Sequence, residues 1–513
     1  MTVTAGPPGS DASMIAEFLS GVERRRTEVM SHLDPKSQAA HGQYFTPVPA
    51  AQIIVSMFTL VERDKVRIFD PGAGTGSLTA ALVTRLMGDK ITKSIEIVAA
   101  EIDAAILPAL SNTLDDCVAL GRALNVKVST ELVHDDLLDM HVGLRRASAP
   151  LGQFDLIPVN PPYYKLSASQ RARLAPDALD TPNIYSTFLL IASDLLTDGG
   201  QVSAITPRSF ANGTYFKNFR KSFLDAVTLD RIHLFDSRKS VFADGGVLQE
   251  NIIFSATKAG TRKDVLLSIS HGTDDDATLR SVPYAEVVKP SDPDSFVRLP
   301  TTDEHSALAT VFDRLPCDLP ALGVKASTGP VVDFRLREHT RPQLGRGCVP
   351  LLYPSNIFGG AVRWPLVRTK DQAIVVNDDT RKWLVADGRF VLVKRFSSKE
   401  ERRRVVAAVY EPSETAHQWL GLDNKLNFIH INKNGLPRDL AYGLALWLNS
   451  SVLDDHFRTF SGHTQVNVGD LKSMRYPSLD NLAALGAALT LDAMPEQGVI
   501  DALVAQHVDG FSS

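Results

Sequence analysis

Between Val66 and Met87 a short apolar run, Val66–Arg67–Ile68–Phe69, meets the turn Asp70–Pro71–Gly72–Ala73–Gly74–Thr75–Gly76, and a helix opens at Ser77. Strand, glycine turn and helix in that order form the first unit of a doubly wound α/β sheet, whose ligands sit beyond the carboxyl ends of the strands. Small residues in the turn let backbone approach a ligand closely. The spacing is not the G-x-G-x-x-G of a dinucleotide loop. Two more strands are expected on the same pattern: Ile95–Ala100, ending in Glu101, and about Val126–Val133, ending in His134–Asp135–Asp136. An acid at the end of the second strand can accept from both ribose hydroxyls of an adenosine. Glu101 is the choice there, and Asp103 reads as a helix cap.

A second stretch carries chemistry. In Phe154–Asp155–Leu156–Ile157–Pro158–Val159–Asn160–Pro161–Pro162–Tyr163 an apolar run suits a buried parallel strand, and the two prolines stop it. Asn160 and Tyr163 are thereby held on a stiff turn. Asn160 brings a carbonyl acceptor, Pro161 a backbone carbonyl and Tyr163 a flat ring. Two acceptors beside a stacking ring suit a planar group carrying an NH2, whose conjugated lone pair must be drawn out of the ring before it can attack. A plain strand with a Pro-Pro turn is the alternative.

These segments resemble the amino-methylating, S-adenosylmethionine-dependent methyltransferases. Asn160–Pro161–Pro162–Tyr163 is similar to their catalytic motif, which DNA adenine-N6 enzymes share with release-factor glutamine-N5 enzymes. Asp70–Gly76 resembles the class I glycine motif, and Gln43–Tyr44–Phe45–Thr46–Pro47 resembles the first cofactor motif of the gamma arrangement. The resemblance implies a doubly wound, Rossmann-like class I domain. It implies cofactor contacts from Tyr44, Thr46, Pro47, Asp70, Gly72, Gly74, Gly76 and Glu101. Asp136 would accept from the cofactor's adenine amino group, with Asp135 as competitor. It also implies catalytic roles for Asn160, Pro161, Pro162 and Tyr163, with Phe242 helping to sandwich an extruded base; as an isolated Phe beside Val241, Phe242 also reads as core. Tyr164–Thr181, with Lys165, Arg171 and Arg173, reads as a mobile cover touching substrate phosphates. A helix from Asn183 to Gly199–Gly200 and a strand Gln201–Thr206 follow. The closing strands are Val227–Leu234 and Glu250–Ala256.

The remaining half reads as a mixed α+β target-recognition domain. The 513 residues carry a net charge of -5, yet Phe334–Arg404 holds 16 Lys/Arg against 7 Asp/Glu, a balance of +9 that leaves -14 elsewhere. That asymmetry points to a polyanion, or to a solvated surface. Tyr353, Trp364, Trp383 and Phe396 lie among arginines such as Arg395, as on a nucleic-acid face, with core packing the alternative for each. Ser461–Gly462–His463–Thr464–Gln465–Val466–Asn467 resembles a segment of gamma-type target-recognition regions. The amides of Gln465 and Asn467 read base edges, hold backbone or fix a buried turn.

The expected division is an N-terminal polar helix over 1–36, a catalytic domain over 37–261, a connection with a few edge strands over 262–302 and a recognition domain over 303–513. Cys117, Cys317 and Cys348 show no metal or disulfide spacing. No metal, no membrane span and a cytoplasmic location are expected. Double-stranded DNA is the expected partner, with a separate restriction endonuclease alongside. Cytosine-N4 methylation, release-factor methylation and an idle DNA-binding subunit are the rival readings.

Overall fold

The computed structural model describes residues 10–33, 45–146, 153–174, 181–235, 251–272, 275–367, 370–397, 401–412, 417–461, 465–490 and 494–511. The chain divides into two compact units, Met1–Thr301 and Thr302–Ser513.

The first unit runs α1 (Ser10–His32), α2 (Val48–Ser56), β1 (Lys65–Pro71), α3 (Ser77–Gly88), β2 (Ser94–Glu101), α4 (Leu107–Ala123), β3 (Lys127–His134), α5 (Leu137–Arg146), β4 (Phe154–Val159) and α6 (Ala168–Leu174). It continues through α7 (Ile184–Leu195), β5 (Leu196–Pro207), α8 (Lys217–Ala226), β6 (Val227–Phe235), β7 (Asn251–Lys258), β8 (Val265–Ser270) and β9 (Thr278–Val282). Among the described residues nine strands form one sheet, ordered β3-β2-β1-β4-β5-β7-β6-β8-β9. Strands β1 to β5 pair in parallel, and β7 runs antiparallel between β5 and β6. The order reverses between β1 and β4, and a doubly wound sheet opens its ligand crevice at such a reversal. Helices on both faces leave the inner strands buried: Leu156, Ile157 and Val159 are all shielded, which is why β4 is apolar rather than alternating.

Four expectations change. The sheet does not stop at Thr261: β8 pairs in parallel with β6 and β9 closes on β8, so 262–302 belongs with the first unit. Helix α2 ends at Ser56, short of the Pro49–Glu62 span that the apolar spacing of Ile53, Ile54, Met57, Phe58 and Val61 predicts, because the side chain of Gln201 takes both the N–H and the carbonyl of Thr59 (2.8 and 2.7 Å). Helix α7 ends at Leu195, and Gly199–Gly200 lie in an irregularity where β5 slips its register against β4. The segment after Tyr163 is not wholly irregular, since it carries α6.

Helix α1 packs on α3 and α4. Its Arg25 donates to the Thr113 hydroxyl (2.7 Å) and pairs with Asp116 (2.6 Å), while Glu23 accepts the Val48 N–H at the start of α2 (3.0 Å).

The second unit is mixed α+β. One sheet joins Lys325–Thr328, Leu426–His430, Phe390–Lys394, Ala407–Tyr410, Ala361–Val362 and Ile357–Phe358. A second joins Thr340–Arg341, Ala373–Val375, Cys348–Leu352, Trp419–Leu422 and Leu384–Ala386. Helices Arg438–Leu448, Ser451–Phe460, Leu479–Ala487 and Gln497–His507 make up much of the remainder. Of the four interleaved aromatics, Tyr353 is core and Trp364 is pinned by its indole N–H to the Gln372 carbonyl (2.9 Å), whereas Trp383 and Phe396 are exposed. No helix among the described residues is long and apolar enough to cross a membrane.

Candidate active site

Two turns meet at the strand-order reversal. The turn after β1 is tied to β2, with the N–H groups of Gly72 and Ala73 both donating to the Ala100 carbonyl (2.9 Å each). Gly74 stands at φ +56°, and a Cβ there would lie 2.7 Å from the Phe45 ring. Gly76 at φ +86° has Thr113 beneath it: an added Cβ would meet its methyl at 2.8 Å, and its hydroxyl donates to the Thr75 carbonyl (2.8 Å). L-residues are strained at such φ values, so glycine is required both for the turn and for the space.

Glu101 is buried at the end of β2. One carboxylate oxygen accepts from Gly74 N–H (2.8 Å), and the other from Ile102 and Asp103 N–H (3.0 and 2.9 Å). A carboxylate offers about four acceptor positions. Three are therefore occupied by backbone, and a grip on two ribose hydroxyls requires one of these bonds to yield. Asp103 accepts from Ala105 N–H (3.0 Å), a turn-capping contact. At the end of β3, Asp135 accepts the Asp136 N–H and Asp136 accepts the Leu138 N–H (2.8 Å each). Asp136 lies close enough to Tyr164 that its charge adds to burial in pushing that phenol's pKa up.

The turn after β4 holds Asn160 and Tyr163 together. Asn160 Nδ2 donates to the Thr46 hydroxyl (2.8 Å), and the Tyr163 hydroxyl reaches Asn160 Oδ1 (3.0 Å) and the Ile205 carbonyl (3.1 Å). Both side chains are only partly buried. Pro47 is the N-cap residue of α2 and Pro49 lies in its first turn, so Thr46, whose hydroxyl meets the amide, stands immediately before the helix. Tyr163 meets Tyr185 edge-on at 6.3 Å, and Tyr185 packs on Phe216 at 5.4 Å. Burial pushes the Tyr163 phenol well above its usual pKa, which keeps it neutral.

Lys165 and Arg171 are exposed, and Arg173 is carried on α6 with Arg171. Tyr44 and Phe242 lie outside the described residues. In the second unit the Arg395 guanidinium holds Gln465 (3.4 Å) and the Asn424 carbonyl (3.2 Å). Asn467 forms a reciprocal capping box with Asp470 at the start of Val468–Ser473, so its amide is engaged in fixing a turn. Sequence reading missed Phe45, which covers Gly74, and Thr113, which seals Gly76. Phe45 adjoined the residue chosen by resemblance; Thr113 sits mid-helix, where no spacing marks it.

Asp70 ends β1 at the glycine turn. Its Oδ2 accepts from Thr79 N–H and hydroxyl (3.2 and 2.6 Å), while Oδ1 is buried without a hydrogen-bond partner, as are Thr75 Oγ1 and Ser77 Oγ. Such unsatisfied polar atoms in a glycine-lined turn fit a polar ligand bearing positive charge, as S-adenosylmethionine does. A cleft of about 930 Å³ bordered by Arg63, Asp64, Lys90 and Thr92 opens instead at the amino ends of β1 and β2, the wrong end of the sheet for a cofactor.

Burial pushes the Asp70 carboxyl up to about 7, against the pull of Thr79. Its folded value then exceeds its unfolded value near 4, so this group's stabilisation is full at low pH and is lost as pH rises through about 7. Asp70→Asn is expected to raise the Tm of the ligand-free protein at pH 8, by a free energy on the order of a few kcal/mol, and to do little at pH 4. Thermal unfolding at both pH values checks this; an equal shift at both contradicts it.

The chain is 38% identical to the type II methyltransferase M.BsuBI of Bacillus subtilis, over 92% of this chain and 94% of that protein. It is 36% identical to the type II methyltransferase M.PstI of Providencia stuartii, over 95% and 96%. Residues 108–242 match the Eco57I restriction-modification methylase family. The fold is similar to that of the type IIL restriction-modification enzyme MmeI, solved in complex with DNA, with a TM-score of 0.50 and 10% identity over 93% of this chain and 68% of that one. The fold is that of a class I methyltransferase with an added domain, and S-adenosylmethionine is its cofactor. With two relatives aligned almost end to end, the chain belongs to the type II methyltransferases of restriction-modification systems.

Proposed function

We propose that this enzyme transfers a methyl group from S-adenosylmethionine to the N6 amino group of adenine in a short duplex DNA sequence, after flipping the base out of the helix. The observation that carries the reading is the anchored amide of Asn160 beside the glycine turn at the strand-order reversal. Because Nδ2 is engaged by Thr46, the carbonyl edge is the one turned to a substrate N–H. Asn160 Oδ1 and the Pro161 carbonyl accepting the two N–H bonds favour the tetrahedral nitrogen of the transition state over the flat ground state. The neutral Tyr163 hydroxyl has one proton and two acceptors; donating it to Ile205 withdraws its claim on Asn160 Oδ1.

When bound, S-adenosylmethionine supplies an electrophilic methyl on a sulfonium. Tyr44, Thr46, Pro47, Asp70, Gly72, Gly74, Gly76, Glu101 and Asp136 are the residues assigned to holding it. Extrusion of the base costs a few kcal/mol, offset by stacking on Tyr163 and Phe242. Lys165, Arg171 and Arg173 are assigned to phosphates, and the unit from Thr302 onward, with Arg395 and Gln465, to target recognition. The chain is then the modification enzyme for duplex DNA in the cytoplasm, paired with a separate restriction endonuclease.

Genomic DNA sequenced with modification detection, from cells with and without the protein, tests this. N6-methyladenine at one short motif is the expected result. N4-methylcytosine moves the reading to the other exocyclic amine, and unmodified DNA overturns it.

A further inference from the structure

Tyr215 is the most exposed aromatic side chain among the described residues, at 82%. Its ring faces water, yet its backbone is firmly held. The turn that carries it follows the carboxyl end of β5, the strand next to β4. Buried Arg220 donates through Nη1 to the carbonyls of Phe210 (2.9 Å) and Gly213 (2.8 Å) and through Nε to that of Asp294 (2.9 Å), and it lies over the Phe296 ring at 4.9 Å. Gly213 N–H donates to Ser209 (2.9 Å) and Phe216 N–H to Gly213 (3.0 Å).

The next residue, Phe216, is buried against Tyr185, whose other neighbour is Tyr163. Consecutive rings thus point opposite ways: Phe216 into the aromatic stack behind the catalytic turn, Tyr215 out to solvent. A water-facing ring on a tied-down turn at the crevice end of the sheet, next in sequence to Phe216, which packs on Tyr185 and through it on Tyr163, suits a flat apolar partner. Nucleobases next to an extruded adenine are such partners, because extrusion strips a stacked face from each.

We infer that Tyr215 stacks on a base of the opened duplex beside the extruded adenine and so holds the duplex open. This rests on the adenine-methylation reading above. The ring supplies the contact and the hydroxyl is dispensable.

The test uses the full chain and two duplexes, one with 2-aminopurine at the target position, whose fluorescence rises when it leaves the stack, and one with adenine there, on which methylation is read because 2-aminopurine has no 6-amino group. Tyr215→Ala is expected to need roughly tenfold more DNA for the same rise, and to lose methylation rate in proportion, with unchanged cofactor affinity and Tm. Tyr215→Phe should match wild type. A mismatch opposite the target, which weakens the closed state, should restore Tyr215→Ala most of the way; a merely structural residue gains nothing from it. Tyr215→Ala equal to wild type, or Tyr215→Phe as impaired as Tyr215→Ala, overturns the inference alone. A wild-type enzyme that leaves 2-aminopurine dark and DNA unmethylated overturns both this inference and the reading beneath it.

Discussion

Asn160→Ala is expected to lower the single-turnover rate of methyl transfer to DNA by roughly a thousandfold, while the dissociation constant for S-adenosylmethionine stays within about twofold. The asymmetry follows from where the amide sits. Its Nδ2 donates to Thr46 and its Oδ1 accepts from Tyr163, while the glycine turn is tied to β2 through the Ala100 carbonyl and Glu101, bonds that truncating the amide leaves in place. Truncation removes the acceptor that draws the amine's lone pair out of conjugation, a contact that counts mainly in the transition state. Thr46→Val separates presence from orientation: the acceptor remains but its anchor is gone, so an intermediate loss of about tenfold is expected. Rapid-quench transfer of labelled methyl and titration calorimetry read the two quantities. An Asn160→Ala enzyme within tenfold of wild type removes Asn160 from the chemistry.

Gly74→Ala carries the second large effect, on the other half of the site. At φ +56° an alanine costs about 1–2 kcal/mol in backbone strain alone. Its methyl would also stand 2.7 Å from the Phe45 ring, inside contact distance, so Phe45 must move. Phe45 directly precedes Thr46, and Gly74 N–H bonds Glu101, so the displacement strikes both the ribose acid and the segment that orients Asn160. Cofactor affinity is expected to fall at least about tenfold, each tenfold being about 1.4 kcal/mol. Gly74→Ala with Phe45→Ala should recover part of it by opening the space. Unchanged affinity in the single variant contradicts the glycine turn as the cofactor cradle.

Much of the catalytic half was legible because β1, β2 and β4 carry apolar runs cut by glycine, proline or acid, and a doubly wound sheet brings the ends of such runs together. Asn160, Glu101 and the glycine turn follow directly. What was not legible depends on contacts across the chain. Tyr44 drew attention by resemblance and lies outside the described residues; Phe45, beside it, touches Gly74, a contact that depends on how the chain ahead of α2 docks. The Asp/Ser/Pro content of 262–302 hid how far the sheet continues, since β8 gains its place from pairing with β6 rather than from its own composition. Glu101 reads as an acid at a strand end that can accept from two ribose hydroxyls; that three backbone N–H groups already bind it is a matter of tertiary folding. In the second unit, alternating aromatics and arginines gave no means of separating buried Tyr353 from exposed Phe396.

Identifying the nucleoside that receives the label tests the central claim most directly. Duplex DNA incubated with the protein and methyl-labelled S-adenosylmethionine would be digested to nucleosides and resolved by mass. Label confined to N6-methyldeoxyadenosine, and absent with Asn160→Ala, is the expected result. Label on a ring carbon such as C5 of cytosine would contradict it, because an amide and a carbonyl placed to grip an exocyclic amine have no part in that reaction.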